Sequence, residues 1–382
     1  MITKKSYEKK KQQMSWGINV CTYNVMLTVP KPLRFNGQNK RAKRIPAALA
    51  RLDKQHELDV IVFVELIEPK TRKKVLDKMA DLGWKYVSKP LTANAFFSSL
   101  KVVTGGVVVV SKHPILVQKN YIFDDVCEGF DCAACKGGVF VRIQKGDNIV
   151  NVVGTHFQAW DTPTARKIRL SQAADCKKLI DSMQIPPDEP VILAGDLNID
   201  LYTRQLEIQR LCSTMNISVC ERQAGSYKFT SDPSTNKLMG NDEDSMYATH
   251  KKVFNKGCYS EYLQTLSCPC CPQEWLDYVA YSTDHLRPAE SHMFVIDNMK
   301  SDEPFKMHVN ISTTRMVDDL SDHYPVVGHF VFDTDTPFGD RDIGSSLSKQ
   351  HTISESWAIT FGVLCLLVTL ASTVLITLKS AG

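Results

Sequence analysis

Short, unbroken apolar runs rich in β-branched residues recur along this chain: VIVFV at Val60–Val64, GVVVV at Gly106–Val110 and VILA at Val191–Ala194. Runs of this length, bounded by polar or turn-forming residues, are the signature of strands rather than helices. Similar runs mark strands at Ile18–Asn24, Gly138–Ile143, Ile149–Gly154, Leu276–Tyr281 and Val326–Phe332. Helical patterning lies between them, at Arg41–His56, Thr71–Leu82 and Pro163–Ser182. The last of these opens with Thr162 as N-cap and Pro163 at the first helical position. Many strands separated by a few long helices predict an α/β architecture of packed sheets flanked by helices. With 382 residues the chain can bury a substantial core. No internal linker or short-period repeat interrupts residues 16–335, which read as one domain.

Polar residues stand where these buried runs end. Asn24 closes INVCTYN, Glu65 follows VIVFV, His156 follows NVVGT, and Asp196 and Asn198 follow VILAG. Asp277 lies in EWLDYV, while Asp322 and His323 precede the strand that starts PVVGHF. A carboxylate placed directly after an apolar run is costly to bury unless it is paired or bound to a metal. One such residue could simply cap a turn, but the set suits metal-assisted phosphodiester hydrolysis. Oxygen donors such as Glu65 and a nearby carboxamide suit Mg²⁺ better than Zn²⁺. A histidine held in one tautomer by a carboxylate can take the proton of an attacking water.

The ordered series Thr22–Asn24 (TYN), Val64–Glu65, Gly154–His156 (GTH), Gly195–Asn198 (GDLN), Leu276–Tyr278 (LDY) and Ser321–His323 (SDH) resembles the motif set of the endonuclease/exonuclease/phosphatase superfamily. Between these motifs the chain is similar to bacterial-type neutral sphingomyelinases. The stretches concerned are GQNKRAKRI at Gly37–Ile45, GGVVVVSKHPI at Gly105–Ile115, KGGVFVRI at Lys136–Ile143 and GTHFQAWD at Gly154–Asp161. The resemblance implies a DNase I-like, four-layer sandwich of two packed β-sheets flanked by helices. It also implies Mg²⁺-dependent hydrolysis of sphingomyelin to ceramide and phosphocholine by in-line attack of water, with Mn²⁺ able to substitute.

Carried onto this sequence, the family pattern makes Glu65 the principal metal ligand, with Asn24 beside it. His323 becomes the general base and Asp277 its orienting carboxylate. Asp196 and Asn198 would position the water and the phosphate. His156 would stabilise the phosphoryl oxygens or protonate the leaving oxygen, and Asp322 would reach the metal region or brace its loop. Two departures stand out. Secreted members often join a cysteine near the Cys127 position to one shortly after the histidine motif, but Asp161–Lys167 contains no cysteine, so no such bridge is expected. Those members also carry an aromatic-tipped membrane hairpin, where this chain offers only Phe305 and Met307 within 298–310.

The ends of the chain differ in composition. The formal net charge is +4, and the first dozen residues, with Lys4, Lys5, Lys9, Lys10 and Lys11 against Glu8, match that excess. Lys31, Arg34, Lys40, Arg41, Lys43 and Arg44 form a second basic run without an acid, suited to phosphate-bearing surfaces. The polar stretch 336–356 reads as a linker, and 357–378 as a transmembrane helix of about 33 Å flanked by Trp357 and Lys379. With no apolar N-terminal signal, the expectation is a single-pass, tail-anchored membrane protein whose catalytic domain faces a reducing cytosol. The 12 cysteines include clusters at Cys127/Cys132/Cys135 and Cys258/Cys268/Cys270/Cys271, which fit a redox-sensitive feature, zinc or disulfides alike. Expected partners are sphingomyelin and the phospholipid bilayer rather than nucleic acid, since aromatics do not interleave with the basic runs. The alternatives are a nuclease, a phospholipase C for another lipid, or a non-catalytic lipid-binding protein.

Overall fold

The structure, a computed structural model, describes residues 15–28, 37–92, 103–123, 126–239, 273–308 and 314–333. Six strands carry the site: β1 (Ser15–Asn24), β2 (Val60–Val64), β3 (Asn148–His156), β4 (Val191–Asp196), β5 (Asp277–Ser282) and β6 (Val326–Asp333). Among the described residues, one sheet has seven strands in the order Glu221–Arg222, Glu290–Val295, β6, β1, β2, Val108–Ser111, Tyr86–Val87. The other has six, in the order Ile217–Val219, β5, β4, β3, Gly137–Lys145, Ile115–Ile122. Among the described residues four α-helices complete the frame: α1 (Gln38–His56), α2 (Pro69–Asp81), α3 (Pro163–Asp181) and α4 (Gln205–Met215).

The layer order follows from the period-two geometry of strands. Val60, Val62 and Val64 of β2 face the second sheet, in the same core as Val107, Val109 and Val152. Ile61 and Phe63, from the same strand, face outward and pack with Ile45 and Leu49 of α1 and with Val75 and Met79 of α2. Both faces are therefore covered, which is why VIVFV has no polar position. On the far side, Cys176 and Leu179 of α3 and Leu211 and Met215 of α4 join the core shared by the sheets. The sheets approach so closely that a Cβ on Gly154 would lie 2.8 Å from the Val62 side chain.

β1 pairs parallel with β2 and antiparallel with β6, while β4 pairs parallel with β3 and antiparallel with β5. Asn24 is aligned with Val64, immediately before Glu65, and Asp196 with both His156 and Asp277. The pairing alone thus brings the site residues to one end of the two sheets.

Several expectations are corrected. Among the described residues no helix is long and apolar enough to cross a membrane, so the tail-anchored membrane localisation is withdrawn. The supposed transmembrane segment 357–378, the linker 336–356 and the second cysteine cluster lie outside the described residues. Of the readings open for the first cysteine cluster, the disulfide is the one formed, between Cys127 and Cys132, while Cys135 is free and buried. Phe305 and Met307 do not form an exposed hairpin tip. They are 3% and 1% exposed and pack beneath α1.

Candidate active site

Asn24 is the hub of the first half of the site. Its Oδ1 accepts from the Met26 amide at 3.1 Å, which turns Nδ2 toward two carboxylates. That nitrogen donates to Glu65 Oε1 at 3.2 Å and to Asp196 Oδ2 at 3.0 Å. Glu65 follows β2 in a left-handed conformation with φ of 56°. The loop fits there because Gly106, with φ of 71°, passes against it: a Cβ at Gly106 would lie 2.5 Å from Ile67 Cγ1 and 3.0 Å from Glu65 Cα. Burial pushes the Glu65 carboxyl up to about 7, and the charge of Asp322 adds to the effect. Burial, reinforced by Asp277, likewise raises Asp196 to about 6.

The second half is a carboxylate–imidazole pair. Asp277, fully buried at the start of β5, places Oδ2 2.7 Å from His323 Nδ1. Burial alone would lower the pKa of His323, but the charge and hydrogen bond of Asp277, with Asp196 and Asp322, raise it well above an ordinary histidine's. Ligand atoms of Asp196, Asp277 and His323 lie within 4.8 Å of one another. Asp322 is buried and accepts from Ser321 Oγ at 3.1 Å, while Ser321 Oγ also reaches the Asn24 carbonyl at 2.7 Å.

His156, aligned with Asp196 on the neighbouring strand, has Nε2 3.8 Å from Asp196 Oδ2. Burial, together with the positive charge of Lys136, drives its pKa well below the usual value, so the ring stays neutral. Lys136 Nζ stands 3.2 Å from His156 Nε2 and donates to the Phe157 carbonyl at 2.7 Å and Asp131 Oδ2 at 2.6 Å. Asn198, itself left-handed at φ 52°, donates its amide N–H to Asp196 Oδ1 and its Nδ2 to the same Phe157 carbonyl. Lys136 and Asp131 carried no role in the sequence reading. Lys136 opens the KGGVFVRI stretch, and nothing in sequence spacing reveals that a lysine twenty residues upstream meets His156.

This arrangement can do acid–base chemistry at an anionic, metal-attracting centre. The profile of the Endonuclease/Exonuclease/phosphatase family matches residues 21–323, which span every residue described above. The chain belongs to this family. Within it, the chain is 30% identical over 341 residues to sphingomyelinase C 2 of Leptospira interrogans, covering 86% of this chain and 48% of that relative. It thus spans about half the relative's length. Among solved structures, sphingomyelinase C from Streptomyces griseocarneus superposes with a TM-score of 0.65 at 26% identity, over 82% of this chain and 99% of that one. A Staphylococcus aureus beta toxin variant with bound magnesium ions gives 0.66 at 25% identity, over 82% and 100%. The shared architecture is the DNase I-like α/β fold, packed sheets flanked by helices.

Proposed function

We propose that this cleft is a metal-dependent phosphodiesterase that hydrolyses sphingomyelin to ceramide and phosphocholine. The observation that carries the reading is the buried Asp277–His323 pair, at 2.7 Å, opening onto Asp196, Asn24 and Glu65. The similarity to proteins named sphingomyelinase C supports the choice of lipid substrate. Residues 16–335 would form the catalytic unit.

Asp277 holds the proton on His323 Nδ1, leaving Nε2 to take a proton from the attacking water as its oxygen bonds to phosphorus. The bond from phosphorus to the ceramide oxygen breaks on the opposite side, and that oxygen ends as a hydroxyl with a proton supplied from solvent. Asp196 and Asn198, locked to each other, orient the water and the phosphate. His156 would act as a neutral imidazole beside the phosphoryl oxygens rather than as an acid, because burial and the charge of Lys136 keep its pKa low and the Lys136 ammonium, which can only donate, faces its Nε2. Asp322 adds negative charge beside Glu65 and fixes the loop.

The residues fit a hard divalent cation. Glu65 and Asp196 share one amide donor, both carboxyls are pushed up in pKa, and both offer oxygen ligands. Glu65 would hold Mg²⁺ with Asn24, whose carboxamide must turn over to present its oxygen, and Mn²⁺ would serve in its place. When bound, the cation supplies Lewis-acid stabilisation of charge on phosphate oxygens.

The test is turnover of radiolabelled sphingomyelin, phosphatidylcholine and single-stranded DNA, each with and without Mg²⁺. Release of phosphocholine from sphingomyelin, abolished by chelation, is expected. Preferential cleavage of DNA would replace the lipid reading with the nuclease one.

A further inference from the structure

Away from the cleft, a cavity of about 430 Å³ lies between the first turns of α1 and the strand Lys300–His308. Lys40, Lys43, Arg44 and Lys306 line it, with Phe305 at its base. Among the described residues none of these four cations has a carboxylate partner. Farther along the same helix, by contrast, Arg51 is paired with Asp302. The first turn of α1 carries no acid, and Gly37 caps it without a side-chain hydrogen bond. Arg44 lies 4.9 Å over the Phe305 ring, and Lys40 Nζ donates to the Lys306 carbonyl at 2.7 Å. Two of the four heads are therefore fixed in place by the fold. Four like charges converging on one cavity repel one another, and an anion relieves that repulsion.

We propose that this cavity is a second anion site, which takes the phosphate of an anionic phospholipid head group and holds the cleft against an anionic bilayer. The role rests on the reading of the cleft as acting on a membrane lipid. The same helix turn ties the cavity to that cleft: Arg41, fully buried, donates to the carbonyls of Val25, Met26 and Leu320, beside Asn24 and the Ser321–His323 loop. The cavity is compact, and the one aromatic ring that lines it among the described residues, Phe305, is buried beneath Arg44. A single-stranded nucleic acid needs a longer charged track and open ring faces on which bases can stack. The observations therefore favour a lipid phosphate.

The experiment uses the full chain and a Lys43→Gln/Lys306→Gln variant, both exposed positions outside the cleft. Partitioning is measured onto phosphatidylcholine vesicles with and without phosphatidylserine. Each basic side chain near an anionic surface is worth about fivefold, so the preference for phosphatidylserine should fall about 25-fold in the variant. A control variant, Lys54→Gln/Lys85→Gln, loses the same charge elsewhere and should keep most of the preference. Equal losses in the two variants, or no loss in either, overturn the proposal. Inorganic phosphate and an oligonucleotide form the remaining arms. Wild-type binding to either one that is lost in the Lys43/Lys306 variant, without any preference for phosphatidylserine, assigns the cavity to that ligand and also overturns the proposal. Sphingomyelin turnover in neutral detergent micelles should be the same in all three proteins. Its absence from all three would count against the cleft's proposed activity, while the binding arms would still decide the cavity.

Discussion

Replacing Asp277 with asparagine isolates the chemistry of the carboxylate–imidazole pair. The side chains are nearly the same size, and Asp277 is fully buried, so the packing should survive. What changes is the partner that His323 Nδ1 meets at 2.7 Å. If the new carboxamide presents its oxygen, the hydrogen bond remains but the negative charge is gone. If it presents its nitrogen, the imidazole proton is forced to Nε2, and the ring can no longer accept a proton from water. Both outcomes remove the charge of Asp277, the largest influence that raises the pKa of His323, and the second also removes the hydrogen bond that the imidazolium would donate. The expected loss in kcat is about 10²- to 10⁴-fold, the usual scale for general-base assistance with correct tautomer control. Residual activity should show its acid limb at lower pH than the wild type's. Stability changes in a definite direction too. A histidine whose folded pKa is raised contributes stability below its unfolded value of about 6.5, and loses it as pH rises through the folded value. The variant should therefore lose stability mainly on the acid side. Steady-state kinetics across pH, with thermal unfolding at acid and alkaline pH, measure both. An Asp277→Asn protein with at least half the wild-type kcat and an unmoved acid limb would refute the assignment of His323 and Asp277.

Glu65→Gln should need far more Mg²⁺ for half-maximal activity while melting within a few degrees of the wild type; a metal titration with unchanged half-activation would remove Glu65 from the cation site. Gly106→Ala should cost about 1–3 kcal/mol in urea unfolding, since the new methyl meets Ile67 and the left-handed backbone disfavours alanine. It should also lower kcat by disturbing Glu65, and an unaffected enzyme would show that the loop has another way to relax. His156→Ala should depress kcat with substrates carrying good and poor leaving groups alike, whereas selective rescue by good leaving groups would make His156 the acid instead.

Strands buried on both faces were the most legible part of the fold. Val60–Val64 was read to the residue, because hydrophobic burial on both sides leaves no polar position to blur its limits. Strands with weaker patterns escaped. Ile115–Ile122 sits at a sheet edge with exposed Leu116 and Val117, and Lys300–His308 contains Pro304 among charged residues. Their pairing comes from tertiary context, which a single sequence does not display. At the site, polar residues ending apolar runs were visible, because burying them demands a reason. The way Asn24 uses its amide nitrogen, the approach of Lys136 to His156 and the need for glycine at 106 were not visible. Each depends on a contact between distant segments. The apolar run at 357–378 satisfied length and charge rules, yet the described fold supplies no membrane-crossing helix to support an anchored topology.

The most direct test of the central claim is hydrolysis of sphingomyelin in water enriched with heavy oxygen, with Mg²⁺ present and mass analysis of both products. Activated water attacking phosphorus predicts one heavy oxygen in phosphocholine, none in ceramide, and no product at all in His323→Ala. Heavy oxygen in ceramide, or undiminished turnover by His323→Ala, would contradict the account.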